Sequence, residues 1–269
     1  PVALLDPGAG KTRKAYVWAY ARSWHDPVPG VVYEFCLGRG AQYPKAVLAG
    51  DVRRGRGRWS GTLLTDRYAG YDSVLDPRLH ADRISAACVA HARRKFEELT
   101  RTGTSPIGDE AIRRYARIYA VEAELKGMSN SERMSQRQQL AKPLWAKLKQ
   151  WLELERRLVA DGSSAAGAID YTLGHWSALT NYLDDGAVAI DNNHLENLIR
   201  PWAMGRKAWL FAGSELAGQR AAIVMSLVQS AKLNGHDPWA YLKDVLTRLP
   251  TQLNSRIEEL LPHKWQPGG

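Results

Sequence analysis

The spacing of apolar residues changes near residue 100, and this change most constrains what the chain can fold into. Before it, short runs of apolar, β-branched and aromatic residues alternate with turn-forming segments. Beyond it, apolar residues recur at intervals of three and four along stretches with little glycine. The first pattern is typical of strands and the second of amphipathic helices. We therefore expect an α/β region followed by a long helical region.

The first hundred residues contain five segments that predict strands and three that predict helices. The strands are expected at 2–5, 15–21, 30–38, 62–66 and 83–90. The helices are expected at 42–50, 68–75 and 91–99. Three adjacent strands followed by alternating helices and strands favour a mixed sheet with helices packed on it. This order suits a ribonuclease-H-like core, in which acidic residues at strand ends gather two metal ions.

The stretch LLDPGAGKT (residues 4–12) resembles a phosphate-binding loop, which would indicate a nucleotide-binding protein. Such a loop has the pattern Gly-x-x-x-x-Gly-Lys-Thr/Ser and opens a helix. Counting back from Gly10, the first glycine of the pattern falls on Leu5. The residues that follow, 15–20, predict a strand. The sequence therefore favours a turn over 7–14, and nucleotide binding that depends on Lys11 stays an alternative.

Helix formers dominate the chain after residue 109. Apolar residues follow a helical period over 112–122 and 144–158, and a single amphipathic helix is expected over 169–183. The repeated aromatic residues of this region are expected to pack in a core. We therefore expect an all-helical insertion over 101–185.

Charge and cysteine content narrow the class of protein. The chain has 37 Lys and Arg against 28 Asp and Glu, a net charge of +9 that favours a polyanionic partner such as nucleic acid. Two cysteines far apart in sequence indicate no disulfide scaffold, so a reducing cytoplasm is expected. Neither a membrane span nor a signal peptide is recognisable. The apolar run that begins at Pro1 is expected to continue from a longer protein.

The segment IDNNHLENLIRP (190–201) has acidic residues on both sides of an expected helix start. Asn193 and Glu196 are three residues apart, which is the spacing of a capping box that stabilises a helix N-terminus. Alternatively, Glu196 is a metal ligand on a helix that faces Asp66. The spacing alone favours the capping interpretation, and both interpretations stay open.

Seven blocks of sequence occur in a fixed order along the chain. They are PVALLDPGAGKTRKAYVWAY (1–20), LLTDRYAGY (63–71), CVAHARRKF (88–96), IDNNHLENLIRP (190–201), GRKAWLFAGSELAGQRAA (205–222), SAKLNGHDPWAYLKDVL (230–246) and RIEELLPHKW (256–265). Together they resemble the transposases of the insertion-sequence-66 family over essentially the whole chain. The resemblance implies a ribonuclease-H-like DDE transposase core with a helical insertion and a short helical C-terminal module. The core would comprise residues 1–100 and 186–225, the insertion residues 101–185 and the C-terminal module residues 226–269. Such enzymes cut and join DNA ends with two divalent metal ions, normally magnesium.

The resemblance also implies which residues bind metal. The second acidic residue of the family falls on Asp66, and the glutamate falls on Glu196. The first aspartate belongs to an Ala-Asp-Glu/Asp-Thr motif that precedes the family's Pro-Val, so it is absent here, and Asp6 is not its equivalent. Two metal ions about 3.5–4 Å apart need several carboxylates. We therefore expect little strand transfer from this chain alone, and a catalytically dead DNA-binding remnant is an alternative.

Four positions depart from the residues that are usual in the family. Arg67 stands in place of a glycine, Val89 of a tryptophan, Asn197 of an arginine and Ala208 of an asparagine. The change at Asn197 is expected to remove a contact to phosphate or carboxylate. Decay of a mobile element and divergence of an active copy both account for these changes.

Basic residues near the proposed site are expected to position the DNA backbone. They follow His91 at a predicted helix start or flank the Glu196 helix, and they are Arg93, Arg94, Lys95, Arg200, Arg206 and Lys207. The basic turn with Arg53, Arg54, Arg56 and Arg58 is more typical of a solvated face. Further candidates for DNA contact are Lys11, Arg13 and Lys14. For His91, a role as a base and a structural hydrogen bond both stay open.

The resemblance implies several partners. The DNA would comprise the element's terminal inverted repeats and the target, and a homo-oligomer and helper proteins of the same element are expected. A nucleoid-associated location in the bacterial cytoplasm follows, without a membrane partner. A zinc site is not expected, because no Cys/His pairs have ligand spacing.

Overall fold

The computed structural model describes residues 1–6, 8, 10–50, 57–101 and 103–267. The chain divides into two compact units. Unit 1 combines Pro1–Tyr43 with Asn193–Gly269, and unit 2 comprises Pro44–Asn192. Each unit has apolar clusters of its own. The mixed α/β class predicted from the sequence is confirmed.

Unit 1 contains an antiparallel three-stranded sheet in the order β1-β2-β3. Its strands are β1 (Val2–Asp6), β2 (Lys11–Ala21) and β3 (Val31–Cys36). Alternate residues of each strand enter one apolar cluster, among them Leu4, Ala15, Ala19, Tyr33 and Phe35. This alternation follows from the period of two in a strand. The three strands predicted for this part of the chain are confirmed.

The connection between β1 and β2 is a hairpin. Leu5 pairs with Thr12 across the two strands, and Gly8 and Gly10 have positive φ angles of 77° and 62°. Glycine adopts this conformation without the steric cost that other residues meet. Because a strand begins at Lys11, the segment does not open a helix, as a phosphate-binding loop must. The expected turn between two strands is thus shorter than the predicted 7–14, because residues 11–14 belong to β2, and residues 7 and 9 lie outside the described residues.

Three helices complete unit 1: α8 (Asn193–Trp209), α9 (Glu215–Leu233) and α10 (Pro238–Arg248). Two serines of α9 bind the backbone of β3. The N–H of Tyr33 donates to Ser226 Oγ at 2.8 Å, and the N–H of Val31 donates to Ser230 Oγ at 3.1 Å. Hydroxyl acceptors thus satisfy strand donors that have no strand beside them among the described residues.

The C-terminal part of unit 1 has a small core of its own. Tyr241 donates its hydroxyl to the Leu260 carbonyl at 2.7 Å, and the Trp265 indole N–H donates to Asp244 Oδ2 at 2.7 Å. A His236 ring nitrogen lies 2.9 Å from the Pro262 carbonyl oxygen. The residues of the blocks 230–246 and 256–265 therefore pack against each other, which gives these motifs a structural role.

Unit 2 contains a parallel pair, β4 (Gly61–Thr65) and β5 (Arg83–Ala87). The chain between them forms a 3-10 helix at Ala69–Val74, and α1 (Gln42–Ala49) precedes β4. Arg83 is buried, and its guanidinium donates to the carbonyls of Trp59, Val74 and Leu48 at 3.0–3.2 Å. The Arg83 guanidinium therefore forms hydrogen bonds with the segments that precede and follow β4.

The rest of unit 2 is helical. Its helices are α2 (Val89–Arg101), α3 (Pro106–Glu124), α4 (Asn130–Gln136), a π-helical turn (Arg137–Ala141), α5 (Lys142–Leu158), α6 (Ser164–Gly174), α7 (Trp176–Thr180) and a 3-10 turn (Asn181–Asp184). Their core contains Phe96, Tyr115, Trp145 and Tyr182, with neighbouring ring centroids 6.0–6.3 Å apart. The expected packing role of the aromatic residues is confirmed.

Two further boundaries predicted from the sequence were wrong. Residues 169–183 do not form one helix, because α6 ends at Gly174 and His175 leaves helical geometry before α7 begins. The strand expected over 83–90 ends at Ala87, and α2 begins at Val89. Among the described residues, no helix has both the length and the apolar character needed to cross a membrane.

Candidate active site and nucleic-acid interface

Asp66 lies directly after β4, at the carboxyl end of the parallel pair. The Cys88 N–H donates to the Thr65 carbonyl at 2.9 Å, so the ends of β4 and β5 remain adjacent beyond the strands. The Asp66 side chain is exposed, and its Oδ1 accepts the N–H of Tyr68 at 3.1 Å. This bond between the side chain and a nearby backbone amide orients the carboxylate.

Two tyrosines lie within the electrostatic influence of Asp66. Burial raises the pKa of Tyr71, and the Asp66 carboxylate raises it further. Burial also raises the pKa of Tyr171, with smaller effects from Cys88 and Asp66. Both phenols therefore stay protonated and uncharged at neutral pH beside the carboxylate.

Arg67, the next residue, has a positive φ of 62°. Its guanidinium donates to Ser85 Oγ at 3.0 Å and lies 3.6 Å from Asp72 Oδ1. The left-handed region is costly for a residue with a Cβ atom and costs glycine nothing. The glycine that is usual here in the family thus has a backbone explanation, and this chain places an arginine in the same geometry.

Asp191 lies at the same edge of the β4–β5 pair. The Val89 N–H donates to the Ile190 carbonyl at 3.1 Å, and the Asn192 N–H approaches Cys88 Sγ at 3.5 Å. The Tyr119 hydroxyl donates to Asp191 Oδ2 at 2.9 Å. No local sequence pattern indicates that residues 190–192 lie beside β5, so the position of Asp191 could not be predicted from the sequence.

The thiol and phenol groups beside Asp191 have raised pKa values, which favour their neutral forms. Burial raises the pKa of Cys88 to about 11. Burial and then the Asp191 carboxylate raise the pKa of Tyr119. Cys88 is therefore a buried neutral thiol and not a nucleophile at neutral pH.

Glu196 lies in the first turn of α8, in unit 1. The helix begins at Asn193, three residues before Glu196, and the capping and metal-ligand interpretations of Glu196 both stay predictions. Glu196 is exposed and lines an open depression of about 510 Å³. The lining is formed by Asn193, Glu196, Asn197, Ile199, Arg200 and Ala203. A carboxylate, an amide and a guanidinium thus share one face of the helix.

The predicted cations have different surroundings. In α2, Arg93 pairs with Glu97 at 3.0 Å and lies over the Tyr119 ring, while Lys95 lies over the Tyr171 ring and Arg94 is exposed. In α8, Arg200 and Lys207 are exposed, and exposed Arg206 donates to the Pro1 carbonyl at 2.9 Å. Arg200 and Lys207 are seven residues apart and form a basic face on one side of α8, whereas the cations of α2 are partly engaged by their own unit.

Two other predictions concern basic or metal-binding groups. Arg58 forms an ion pair with Asp82, and Arg53, Arg54 and Arg56 lie outside the described residues. His91 lies in the first turn of α2, where its N–H donates to the Cys88 carbonyl at 3.2 Å. Within the part of the chain that the structure describes, no three His, Cys, Asp or Glu side chains are grouped so that they could hold a metal ion.

Two glycines of the 205–222 block make room for aromatic rings. A Cβ atom at Gly205 would lie 2.5 Å from the Trp209 ring, and one at Gly218 would lie 2.6 Å from the Phe35 ring. Trp209 packs edge to face on buried Trp202, with centroids 5.5 Å apart. Much of this block is therefore explained by close packing around α8 and α9.

Comparison with known proteins identifies relatives of this chain. The profile described as "Transposase IS66 family" matches residues 1–220, and the profile described as "IS66 C-terminal element" matches residues 226–263. Two proteins of Sinorhizobium fredii are similar in sequence. Protein y4hP is 36% identical over 88% of this chain and 44% of its own length. Protein y4qI is 37% identical over 98% of this chain and 49% of its own length.

The similarity covers only part of each relative and extends to no protein of known structure. No solved structure matches the chain. The chain spans about half the length of the curated relatives that it matches. Because the two profiles together match residues 1–220 and 226–263, the chain belongs to the IS66 family of transposases.

Proposed function

We propose that this protein is the catalytic part of a DDE transposase, which cleaves and joins DNA with divalent metal ions. The observation that best supports the proposal is the position of Asp66, an exposed carboxylate at the carboxyl end of two parallel strands. The described strands lie in two separate sheets, one of three antiparallel strands and one of two parallel strands, so the single mixed sheet of a ribonuclease-H-like core stays a proposal. Asp66 and Glu196 are the proposed metal ligands, and DNA is the proposed partner.

The chemistry of the two side chains fits magnesium, which prefers hard oxygen ligands. Magnesium bound there would neutralise charge on the phosphate that is cleaved. The described residues contain no group of three potential metal ligands. The family's Ala-Asp-Glu/Asp-Thr motif does not occur in the 269 residues. We therefore expect weak or no strand transfer by this chain alone.

Metal binding tests the proposed ligands without requiring activity. Titration of the purified chain with Mn²⁺, followed by electron paramagnetic resonance, should give weaker binding for Asp66→Asn and for Glu196→Gln by about tenfold or more. Glu153→Gln, at an exposed carboxylate of α5, is the matched control and should bind Mn²⁺ like the parent. Equal Mn²⁺ binding by all four proteins would refute the ligand assignment.

Nicking assays separate the active enzyme from a catalytically dead remnant. Arg67 in left-handed geometry and Asn197 in the Glu196 depression are the observations that favour the remnant. A remnant would bind DNA but would show neither Mn²⁺ binding nor magnesium-dependent nicking of terminal-repeat DNA. Nicking by the chain that Asp66→Ala abolishes would show instead that the 269 residues suffice for cleavage.

DNA binding by the basic face of α8 can be measured through its salt dependence. Replacing one cation that contacts a DNA phosphate by a neutral residue should reduce the steepness of log affinity against log salt by about one. We expect this change for Arg200→Gln and for Lys207→Gln. Arg113→Gln, at an exposed arginine of α3, is the matched control and should leave the slope unchanged. A homo-oligomer and helper proteins of the same element remain expected partners.

A further inference from the structure

Three consecutive large apolar residues are exposed where α8 ends. The exposed fraction is 47% for Trp209, 71% for Leu210 and 43% for Phe211. A single exposed apolar residue is ordinary, but three in succession at the end of a basic helix form a contiguous apolar tip. The proposed catalytic residues do not explain this tip.

The backbone at the tip is strained. The Phe211 N–H donates to the Trp209 carbonyl at 2.7 Å, and Leu210 between them has a positive φ of 66°. A bond from residue i+2 to residue i around a central residue with positive φ is the rare, strained form of the γ-turn. Strain of this kind persists only where the surrounding structure imposes it, and it concentrates at functional sites.

Fixed contacts on both sides impose the turn. On one side, the Trp209 ring packs on buried Trp202 above Gly205. On the other side, the Ala212 N–H donates to the Ala3 carbonyl at 2.8 Å, and the Leu5 N–H donates to the Ala212 carbonyl at 2.9 Å. Because the chain is held before and after it, Leu210 is kept at the surface.

The surroundings of the tip are cationic. Arg206 and Lys207 lie in the last turn of α8, three and two residues before Trp209. Arg206 is anchored to the Pro1 carbonyl at 2.9 Å. A projecting apolar residue beside anchored cations complements duplex DNA, in which stacked bases lie between two rows of phosphates.

We propose that Leu210 is a wedge that enters between base pairs of duplex DNA while Arg206 and Lys207 hold the adjacent phosphates. The proposal rests on DNA being the partner of this protein, as proposed above. Apolar side chains inserted between base steps unstack and kink the duplex. The wedge would open the DNA at the place where α8 contacts the backbone.

Two substitutions of Leu210 distinguish the effect of its apolar side chain on DNA from the effect of its strained backbone on stability. Leu210→Gly removes the wedge and relieves the positive φ, whereas Leu210→Met keeps an apolar side chain of similar volume. Leu253→Gly is the matched control, because Leu253 is 64% exposed and has an ordinary φ of −66°. A residue with only a structural role would not gain stability and lose DNA distortion in the same substitution.

The experiment measures permanganate reactivity of thymines in a duplex saturated with the full 269-residue chain, together with affinity and the thermal midpoint. The parent and Leu210→Met should raise thymine reactivity several-fold over free DNA. Leu210→Gly should return reactivity to the level of free DNA and weaken binding, yet raise the midpoint. Leu253→Gly should lower the midpoint and leave thymine reactivity at the parent level.

Each remaining outcome overturns a specific statement. Duplex binding by the parent without thymine reactivity would overturn the wedge and leave the DNA partner in place. Equal reactivity for Leu210→Gly and the parent would also overturn the wedge. Absence of any duplex binding would overturn the proposed function itself. Binding of phosphatidylserine vesicles that Leu210→Gly abolishes, without DNA unstacking, would assign the tip to a membrane surface.

Discussion

Arg67 follows the proposed metal ligand Asp66 in a left-handed conformation that favours glycine. Arg67→Gly and Arg67→Ala both remove the contacts of the guanidinium with Ser85 and Asp72. Only glycine relieves the backbone, so Arg67→Gly should be more stable than Arg67→Ala by about 1 kcal/mol. Urea unfolding of the two variants measures this difference in the free energy of unfolding.

Arg113, exposed in α3, provides the control for this comparison. In a helix interior glycine is less stable than alanine by about 1 kcal/mol. Arg113→Gly should therefore be less stable than Arg113→Ala, which is the reverse of the order expected at position 67. If alanine were the more stable residue at position 67 as well, the φ of Arg67 would not be a source of strain.

Two helical glycines should respond to alanine in opposite directions. At Gly218 of α9 an added Cβ would lie 2.6 Å from the Phe35 ring, whereas at Gly167 of α6 it would have no neighbour within 4 Å. Gly218→Ala should therefore destabilise the protein by about 1–3 kcal/mol. Gly167→Ala should stabilise it by about 0.5–1 kcal/mol, because alanine is the better helix former. Thermal unfolding with the same sign for both variants would contradict this explanation.

Close packing of this kind could not be predicted from the sequence. The block with Gly205 and Gly218 was recognised as a family motif, but the rings that fill the space above these glycines lie four residues away in one case and in β3 in the other. The exposed positions of Asp66 and Glu196 after a strand and at a helix start were predictable, because strand ends and helix starts have local signals. The location of Asp191 depended on a tertiary pairing with Cys88 and Val89.

Among the helices, a buried arginine organises the segment that precedes Asp191. Arg137 has no exposed side-chain surface, and its guanidinium forms two hydrogen bonds with Glu122 at 2.7–2.8 Å. It also donates to three carbonyls of the segment that leads to α8, those of Tyr182, Asp185 and Val188. A buried ion pair adds little stability compared with an apolar pair, but it specifies which groups must meet.

Arg137→Met should destabilise unit 2 by about 3–5 kcal/mol, because Glu122 would remain buried without its counter-charge. Hydrogen exchange of the amides over 182–188 should accelerate, since three carbonyls lose their donor. Arg113→Met removes an arginine that pairs with Glu110 at the surface, and it should change stability by about 0.5 kcal/mol or less. Similar losses for the two variants would contradict a special role for Arg137.

The elements themselves were largely predictable, but their endings and partners were not. Strands at the start of the chain and helices after residue 100 follow from apolar spacing, which is a local property. The break between α6 and α7 occurs at Gly174 and His175, where the apolar pattern continues while the backbone does not. Arg137 lies in a π-helical turn, and a single sequence gives no local signal for the bond to Glu122 on another helix.

At the scale of the whole molecule, the two units differ in whether they consist of one continuous stretch of chain or of two. Unit 2 is one continuous stretch, Pro44–Asn192, and the clusters around Trp145 and around Val74 consist only of its own residues. Unit 1 needs two separate stretches of the chain, because the cluster with Leu4 and Phe35 also contains Leu198, Trp202 and Ala222. A continuous stretch of this size can bury enough apolar surface to be stable without the rest of the chain.

A fragment comprising residues 44–192 should therefore fold alone. It should show helical circular dichroism and a single cooperative thermal transition. Its aromatic rings and the aliphatic methyl groups packed against them should give dispersed resonances, because the packing of Phe96, Tyr115 and Trp145 is internal to it. A fragment of residues 1–43 is the control and should remain unfolded, since its strands lose the apolar residues of α8 and α9. Non-cooperative melting of 44–192 with dye-binding apolar surface would mean that its core depends on residues outside the unit.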